Sequence, residues 1–256
     1  MSNLLKDKVV IVTGAASGIG RSIAISAARH GARAVLVSDI AELPCEGGTP
    51  TTQEIDALGV TARFVKTDVS KKSEIDALVD AAEEFGGVDV MVANAGITAR
   101  DDGADVSEES YRRVMSVNLD GTLFSAQAAA RQMKAKGKEG SIVLMASMGG
   151  IVGAGMTVAY STSKGGVVLM AKSLADALGP DGIRVNAVAP GTIDTHLLRT
   201  SPGIAEAAEG FRKRTPLRRL GKPSEIGDAV VWLGSDMSSY VTGIALVVDG
   251  GLLSVI

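Results

Sequence analysis

Two spacings of apolar positions alternate along this chain. Short, unbroken apolar runs recur at 8–13 (K-V-V-I-V-T), 34–39 (A-V-L-V-S-D), 63–69, 88–93, 141–146 (S-I-V-L-M-A), 184–189 and 244–248. Runs this short and this rich in β-branched residues read as strands buried on both faces, which implies a parallel sheet. Between them the apolar residues recur at helical spacing, first as Ile19, Ile23, Ala24 and Ala27, ending at His30-Gly31, with His30 as a cap. Further helices are expected up to Leu58, from a cap at Ser73 and Asp76 to Phe85, from Ser107 to about Lys136, and from Pro223-Ser224-Glu225 through Leu233. Strands alternating with helices over residues 1–256 predict one α/β domain: a doubly wound, seven-stranded parallel sheet flanked by helices.

Two stretches break this rhythm. Pro44, Gly47, Gly48 and Pro50 forbid a regular helix before about Thr51, so an irregular loop is expected there. From 194 to 219 the apolar pattern weakens around Pro202, Gly203, Gly210 and Pro216, as in a substrate lid or a plain surface excursion.

Composition narrows the partners. Lys and Arg number 26 against 29 Asp and Glu, a net charge of −3, which gives no reason to expect a nucleic-acid phosphate backbone. The single cysteine, Cys45, excludes an internal disulfide, fits a reducing compartment and reads as incidental, and no metal-ligand cluster is expected. Residues 1–8 lack the apolar core of an export signal, and no apolar run reaches the ~18 residues of a membrane span. A cytoplasmic protein without a membrane partner is the expectation.

The chemistry concentrates in four places. The first run feeds into Thr13-Gly14-Ala15-Ala16-Ser17-Gly18-Ile19-Gly20 and then a helix. Strand, glycine-rich turn and helix N-terminus together make a candidate phosphate site, because glycines admit the backbone to a pyrophosphate and the helix start offers free N–H groups, although a merely tight βα turn has the same pattern. The second run ends in Asp39, at the distance expected of a carboxylate that binds the adenosine ribose and repels a 2′-phosphate. NAD is therefore favoured over NADP. Asp68 ends the third run, as an adenine contact or as a loop or capping aspartate, and Asn94-Ala95-Gly96 closes the fourth with room for a ligand against the backbone. Asn118 falls in mid-helix, where asparagine is mildly unfavourable. Finally, Ser147 follows the fifth run, and Tyr160-x-x-x-Lys164 lies thirteen residues on. A spacing of four puts both side chains on one helix face, about 5–6 Å apart at Cβ. An ammonium beside a phenol favours the phenolate, so the pair is a candidate acid/base unit, although a surface tyrosine stacked on a lysine stem has the same spacing.

Taken in order and at these spacings, the motifs resemble the short-chain dehydrogenase/reductase family, of its NAD-preferring cytosolic type, over essentially the whole chain. The resemblance implies a Rossmann-type fold and a catalytic set of Asn118, Ser147, Tyr160 and Lys164. It also implies cofactor contacts at Gly14, Ser17, Gly18, Ile19 and Gly20 (pyrophosphate loop), Asp39 (ribose), Asp68 and Val69 (adenine), and Asn94, Ala95 and Gly96. Pro190, Gly191, Ile193 and Thr195 are implied on the nicotinamide side, with Tyr160 and Lys164 reaching the cofactor as well. Asn118 is implied to hold a water that links Lys164 to solvent. The chain departs from the family pattern at Ala93, where a second asparagine is common, and in the Pro/Gly-rich insertion around Cys45.

The function so implied is hydride transfer between NAD(H) and a secondary alcohol or ketone, with a neutral and largely apolar substrate. The expected wall is Gly149, Ile151, Val152, Gly153, Met156, Thr192, His196 and Leu197. Two alternatives stand beside it. A 3-oxoacyl-thioester reductase would use Arg131, Lys134, Lys136 and Lys138 as an acyl-carrier surface, and a sensor or scaffold would have kept the fold without the chemistry. A homotetramer is expected from the family habit, the apolar C-terminal stretch and the long helix from Ser107.

Overall fold

The computed structural model describes residues 3–100, 103–200 and 204–255, with the backbone alone at 197 and 204–207. Seven strands, β1 (Val9–Thr13), β2 (Ala34–Asp39), β3 (Thr61–Lys66), β4 (Val90–Ala93), β5 (Gly140–Met145), β6 (Ile183–Pro190) and β7 (Ala245–Val248), form one sheet of order β3-β2-β1-β4-β5-β6-β7. Every pairing is parallel. The period of two along each strand explains why the runs are apolar throughout. Val9 and Ile11 of β1 join Leu36, Met91, Ile142 and Val185 in a core on one face. Val10 and Val12 join Val35, Val90, Val92 and Val143 in a second core on the other.

The helices that close these cores are α1 (Gly18–Arg29), α2 (Thr51–Asp56), α3 (Lys72–Asp80), α4 (Glu108–Met115), α5 (Gly121–Ala135), α6 (Val158–Leu178), α7 (His196–Thr200), α8 (Ile204–Arg214) and α9 (Pro223–Gly234). α1 and α9 cover the second core; α3, α5 and α6 cover the first. His30 is the C-cap of α1, and Pro223 opens α9 with Glu225 accepting from Lys222 N at 2.7 Å. Among the described residues no helix is long and apolar enough to cross a membrane.

Several boundaries differ from expectation for physical reasons. β3 stops at Lys66, so Asp68 lies past the strand. Ser73 and Asp76 lie inside α3 and do not cap it; Glu74 instead folds back to accept from Asp68 N at 2.7 Å. α3 gives way to a 3₁₀ turn, Ala81–Phe85, that ends at Gly86 in the left-handed region, φ 95°. The long helix from Ser107 is three pieces, because a π turn at Ser116–Asp120 separates α4 from α5. Single π turns inside α-helices tend to mark functional sites, and this one contains Asn118. The excursion at 194–219 is largely helical as α7 and α8, while Pro202 and Gly203 lie outside the described residues.

Candidate active site

The direction of strand order reverses between β1 and β4, and ligands of open α/β sheets bind beyond the carboxyl ends of the strands at such a point. Here the two strand ends are stapled together. Thr13 Oγ1 accepts from Asn94 N and Ala95 N, each at 3.0 Å, and Asn94 Nδ2 donates to Thr13 O at 2.8 Å. Gly14 has φ +64°, and a Cβ there would lie 2.8 Å from Ala95 Cα; one at Gly20 would overlap Gly14 O. The turn is therefore closed tightly upon itself. At Gly18, φ +55°, the first atom a Cβ would meet is Thr195 Cγ2 at 3.9 Å, so the same turn is open toward the segment after β6. An open glycine at the first turn of a helix, whose initial N–H groups lack intrahelical partners, fits the pyrophosphate of a dinucleotide.

Asp39 lies at the end of β2 with its carboxylate aimed by two amides: Ala16 N at 3.0 Å and Ile40 N at 2.8 Å. The Pro/Gly-rich segment after it does not stand apart from the site. Cys45 N donates to Ser17 Oγ at 2.8 Å, and the carboxylate of Glu46 accepts from Gly18 N at 3.2 Å. Thr51 Oγ1 donates to Ala15 O at 2.9 Å, and Arg21 reaches Thr51 and Glu54. Residues 39–54 thus clamp the outer side of the glycine-rich turn. Cys45, expected to be incidental, supplies a backbone donor to it, and its thiol donates to Glu46 at 3.2 Å.

Ser147 follows β5 in extended conformation; its Oγ accepts from Gly149 N at 3.1 Å and shares a hydrogen bond with the Tyr160 hydroxyl. Lys164, only 4% exposed, donates through Nζ to Met145 O at 2.7 Å and stands 5.8 Å from the centroid of the Tyr160 ring. Asn118 is completely buried: Oδ1 accepts from Ile97 N at 2.8 Å, while Nδ2 donates to Ile97 O at 2.9 Å and Ser163 Oγ at 3.2 Å. Ser163 Oγ in turn donates to Tyr160 O at 2.7 Å. The structure thus brings the four expected catalytic residues together. All three bonds of the Asn118 side chain go to protein. This side chain locks the 94–97 turn to the first turn of α6. Gly96 completes the packing, because a Cβ there would come 3.3 Å from Asn118 Oδ1 and 3.5 Å from Lys164 Nζ.

Burial raises the Tyr160 phenol above its ordinary pKa, with the Ser147 hydrogen bond working against the rise. Burial also lowers Lys164 to about 8. The rise runs opposite to the expected depression of the phenol by the ammonium. The physical reason is desolvation, which disfavours both charged forms.

The remaining predicted contacts divide. Gly191 is pinned after β6, its N–H donating to Val248 O at 3.0 Å, and a Cβ there would lie 2.7 Å from Asp249. Pro190 ends the strand, Ile193 is buried beside Gly221, and Thr195 Oγ1 accepts from Leu198 N at 3.3 Å. Asp68 is committed to its own turn, accepting from Ser70 N at 3.0 Å and Ser70 Oγ at 2.6 Å, as a loop aspartate does. Val69 is buried, and a Cβ on Gly121 of α5 would approach it to 2.8 Å. On the substrate side Thr192, His196 and Val152 are half-buried and Ile151 and Met156 exposed; the Leu197 side chain lies outside the described set. The four basic residues of the alternative docking surface are each paired: Arg131 with Asp76, Lys134 with Asp181, Lys136 with Glu83 and Lys138 with Asp89. Sequence reasoning missed Glu46, Thr51, Ser163 and the Met145 carbonyl, none of which carries a periodic or motif signal.

The chain is similar to known proteins in both sequence and shape. A family model described as enoyl-(acyl carrier protein) reductase matches residues 14–253. L-rhamnose 1-dehydrogenase (NAD(P)(+)) of Azotobacter vinelandii is 44% identical over 97% of this chain and 98% of its own. Glucose 1-dehydrogenase 2 of Bacillus subtilis is 38% identical over 97% of this chain and 95% of its own. A crystal structure of a short-chain type dehydrogenase/reductase from Mycobacterium marinum superposes with TM-score 0.90 at 34% identity, covering 98% of this chain and 97% of that one. With the seven-stranded parallel sheet, these likenesses establish that the chain is an oxidoreductase belonging to the short-chain dehydrogenase/reductase family.

Proposed function

We propose that this protein oxidises a neutral secondary carbinol with NAD as hydride acceptor, and reduces the corresponding carbonyl in reverse. The observation that carries the reading is the Ser147–Tyr160 hydrogen bond beside the buried ammonium of Lys164, at the carboxyl edge of the sheet. When bound, the nicotinamide cofactor supplies the hydride acceptor; Gly18 with the first turn of α1, Asp39, Asn94–Gly96 and the 190–195 segment would hold it. Ser147 orients the substrate oxygen and stabilises charge there. Tyr160 takes the hydroxyl proton in oxidation and returns it in reduction. Lys164, fixed by the Met145 carbonyl, favours the phenolate once the site is assembled. Asn118 and Ser163 keep the two walls in register.

Asp39 supports NAD, since a carboxylate held by two amides repels a 2′-phosphate. The substrate class follows from chemistry and likeness together. The anomeric carbon of a cyclic aldose bears one hydrogen and one hydroxyl, so it undergoes the same oxidation as any secondary carbinol, and two relatives are named for it. Arg199, on α7, is engaged by Asp194 at 2.7 Å, which supports an uncharged substrate. A second reading, a ring alcohol bearing a carboxylate, would use Arg100, an exposed guanidinium that donates to Met156 Sδ at 3.2 Å on the expected substrate wall. Residues 194–219 would act as a lid, and assembly as a homotetramer belongs to the same reading.

The test is NADH formation over aldoses, cyclic and acyclic secondary alcohols and a hydroxycyclohexane carboxylate, with NAD and with NADP. Turnover of a neutral alcohol with NAD, less with NADP, is expected. Bound nucleotide without turnover on any of them would favour the non-catalytic alternative.

A further inference from the structure

The segment after Asp39 engages three consecutive residues of the glycine-rich turn from outside. Ala16 N is taken by the Asp39 carboxylate, Ser17 Oγ is used as acceptor by Cys45 N, and Gly18 N is taken by the Glu46 carboxylate. Two backbone donors that a phosphate approaching this corner would use, Ala16 N and Gly18 N, are therefore already spent on carboxylates. Glu46 is itself well held. Burial raises its pKa, but hydrogen bonds from the Cys45 thiol, its own backbone, Gly18 N and Ser17 outweigh this and keep it below the usual carboxylate range. It is ionised at neutral pH. Arg21, the cation nearest in the chain, is directed away, with Nη1 on Thr51 at 3.0 Å and Nη2 on Glu54 at 2.5 Å.

We infer that Glu46 is a second determinant of cofactor choice, placed in the insertion rather than at the strand end, which excludes a 2′-phosphate from the turn by occupying Gly18 N with a negative charge. The inference rests on the reading of Asp39 as the ribose anchor. Asp39 meets the ribose hydroxyls directly. Glu46 engages the turn at Gly18, two residues beyond the Ala16 amide taken by Asp39, so a phosphate on the 2′-oxygen enters a corner with a carboxylate on each side. The pyrophosphate is left to the N–H groups of Ile19 and Gly20 in the first turn of α1, which neither carboxylate reaches. Glu46 thus distinguishes the 2′-phosphate from the pyrophosphate of one cofactor by position.

The experiment compares adenosine 5′-monophosphate with adenosine 2′,5′-bisphosphate, which differ only in the 2′-phosphate. Binding of each is measured calorimetrically to the wild type, Glu46→Gln and Asp39→Ala. Glu46→Gln keeps the size of the side chain and removes its charge at a surface position, and circular dichroism checks its fold. The expected result is that Glu46→Gln narrows the affinity ratio between the two probes about tenfold, by tightening the bisphosphate, with the monophosphate within twofold of wild type. An unchanged ratio in Glu46→Gln alongside a narrowed one in Asp39→Ala overturns the role of Glu46 and leaves that of Asp39. No change in either variant overturns both. A ratio narrowed by Glu46→Gln but not by Asp39→Ala overturns the ribose-anchor reading and, with it, the geometry on which this inference rests. Equal tightening of both probes makes Glu46 a general obstacle rather than a selector, and also overturns the inference.

Discussion

Lys164 Nζ donates a 2.7 Å hydrogen bond to the carbonyl of Met145, the last residue of β5. Ser147 lies two residues further on, so one strand end positions both the ammonium and the hydroxyl that flank Tyr160. The cost is a buried charge. Folded, Lys164 titrates at about 8 against an ordinary 10.5, so between those values the unfolded chain binds more protons and stability rises with pH. Below pH 8 the full penalty is present. Lys164→Met removes it, and the stability difference between variant and wild type should shift against the variant by about 1–3 kcal/mol from pH 8 to 10.5. Denaturant unfolding across that window reads it directly; a difference independent of pH contradicts the assignment.

Asn118 satisfies both polar groups of Ile97 and the hydroxyl of Ser163 in a fully buried site. Asn118→Ala leaves Ile97 N and Ile97 O without their partner and Ser163 Oγ with only its bond to Tyr160 O, at about 1–3 kcal/mol for each group that water cannot reach. A loss of about 2–4 kcal/mol in unfolding free energy is expected, with kcat falling more than cofactor affinity.

Two glycines give a matched contrast. Gly14→Ala sets a side chain at φ +64° and 2.8 Å from Ala95 Cα, so it should lower stability by at least ~2 kcal/mol and abolish cofactor binding. Gly153→Ala meets nothing within 4 Å and should leave both unchanged. Thermal melts and NADH fluorescence titrations on the two variants separate packing at the turn from a general intolerance of substitution.

Because burial holds the Tyr160 phenol above its ordinary value, the base is protonated at neutral pH. Alcohol oxidation needs the phenolate, so kcat/KM for oxidation should climb as pH rises through the alkaline range. Carbonyl reduction needs the phenol, and should fall there. A flat oxidation profile between pH 7 and 10 would remove Tyr160 from proton transfer.

The strands were readable because burial on both faces leaves no polar position in runs such as Val9–Val12, and Gly14, Gly18 and Gly20 were readable because they follow one of them. Asn118 was visible only through its family likeness; no propensity marks a π turn, which arises where α4 and α5 meet α6. The insertion was the least legible part. Glu46 and Cys45 are exposed and aperiodic, and their partners Gly18 and Ser17 lie 28 residues away. A pattern of apolar spacing records burial, and these contacts bury little. The basic residues from Arg131 to Lys138 read as a docking surface or a solvated run because their carboxylate partners come from segments distant in sequence or from other elements, including Asp76 of α3.

The central claim is that Tyr160 moves the proton. Steady-state NADH formation by wild type and Tyr160→Phe, on the best substrate of the alcohol and aldose panel, tests it most directly, with NADH binding measured in parallel. A fall of several orders of magnitude in kcat with NADH affinity retained is the predicted result; Tyr160→Phe turning over at a rate near wild type contradicts it.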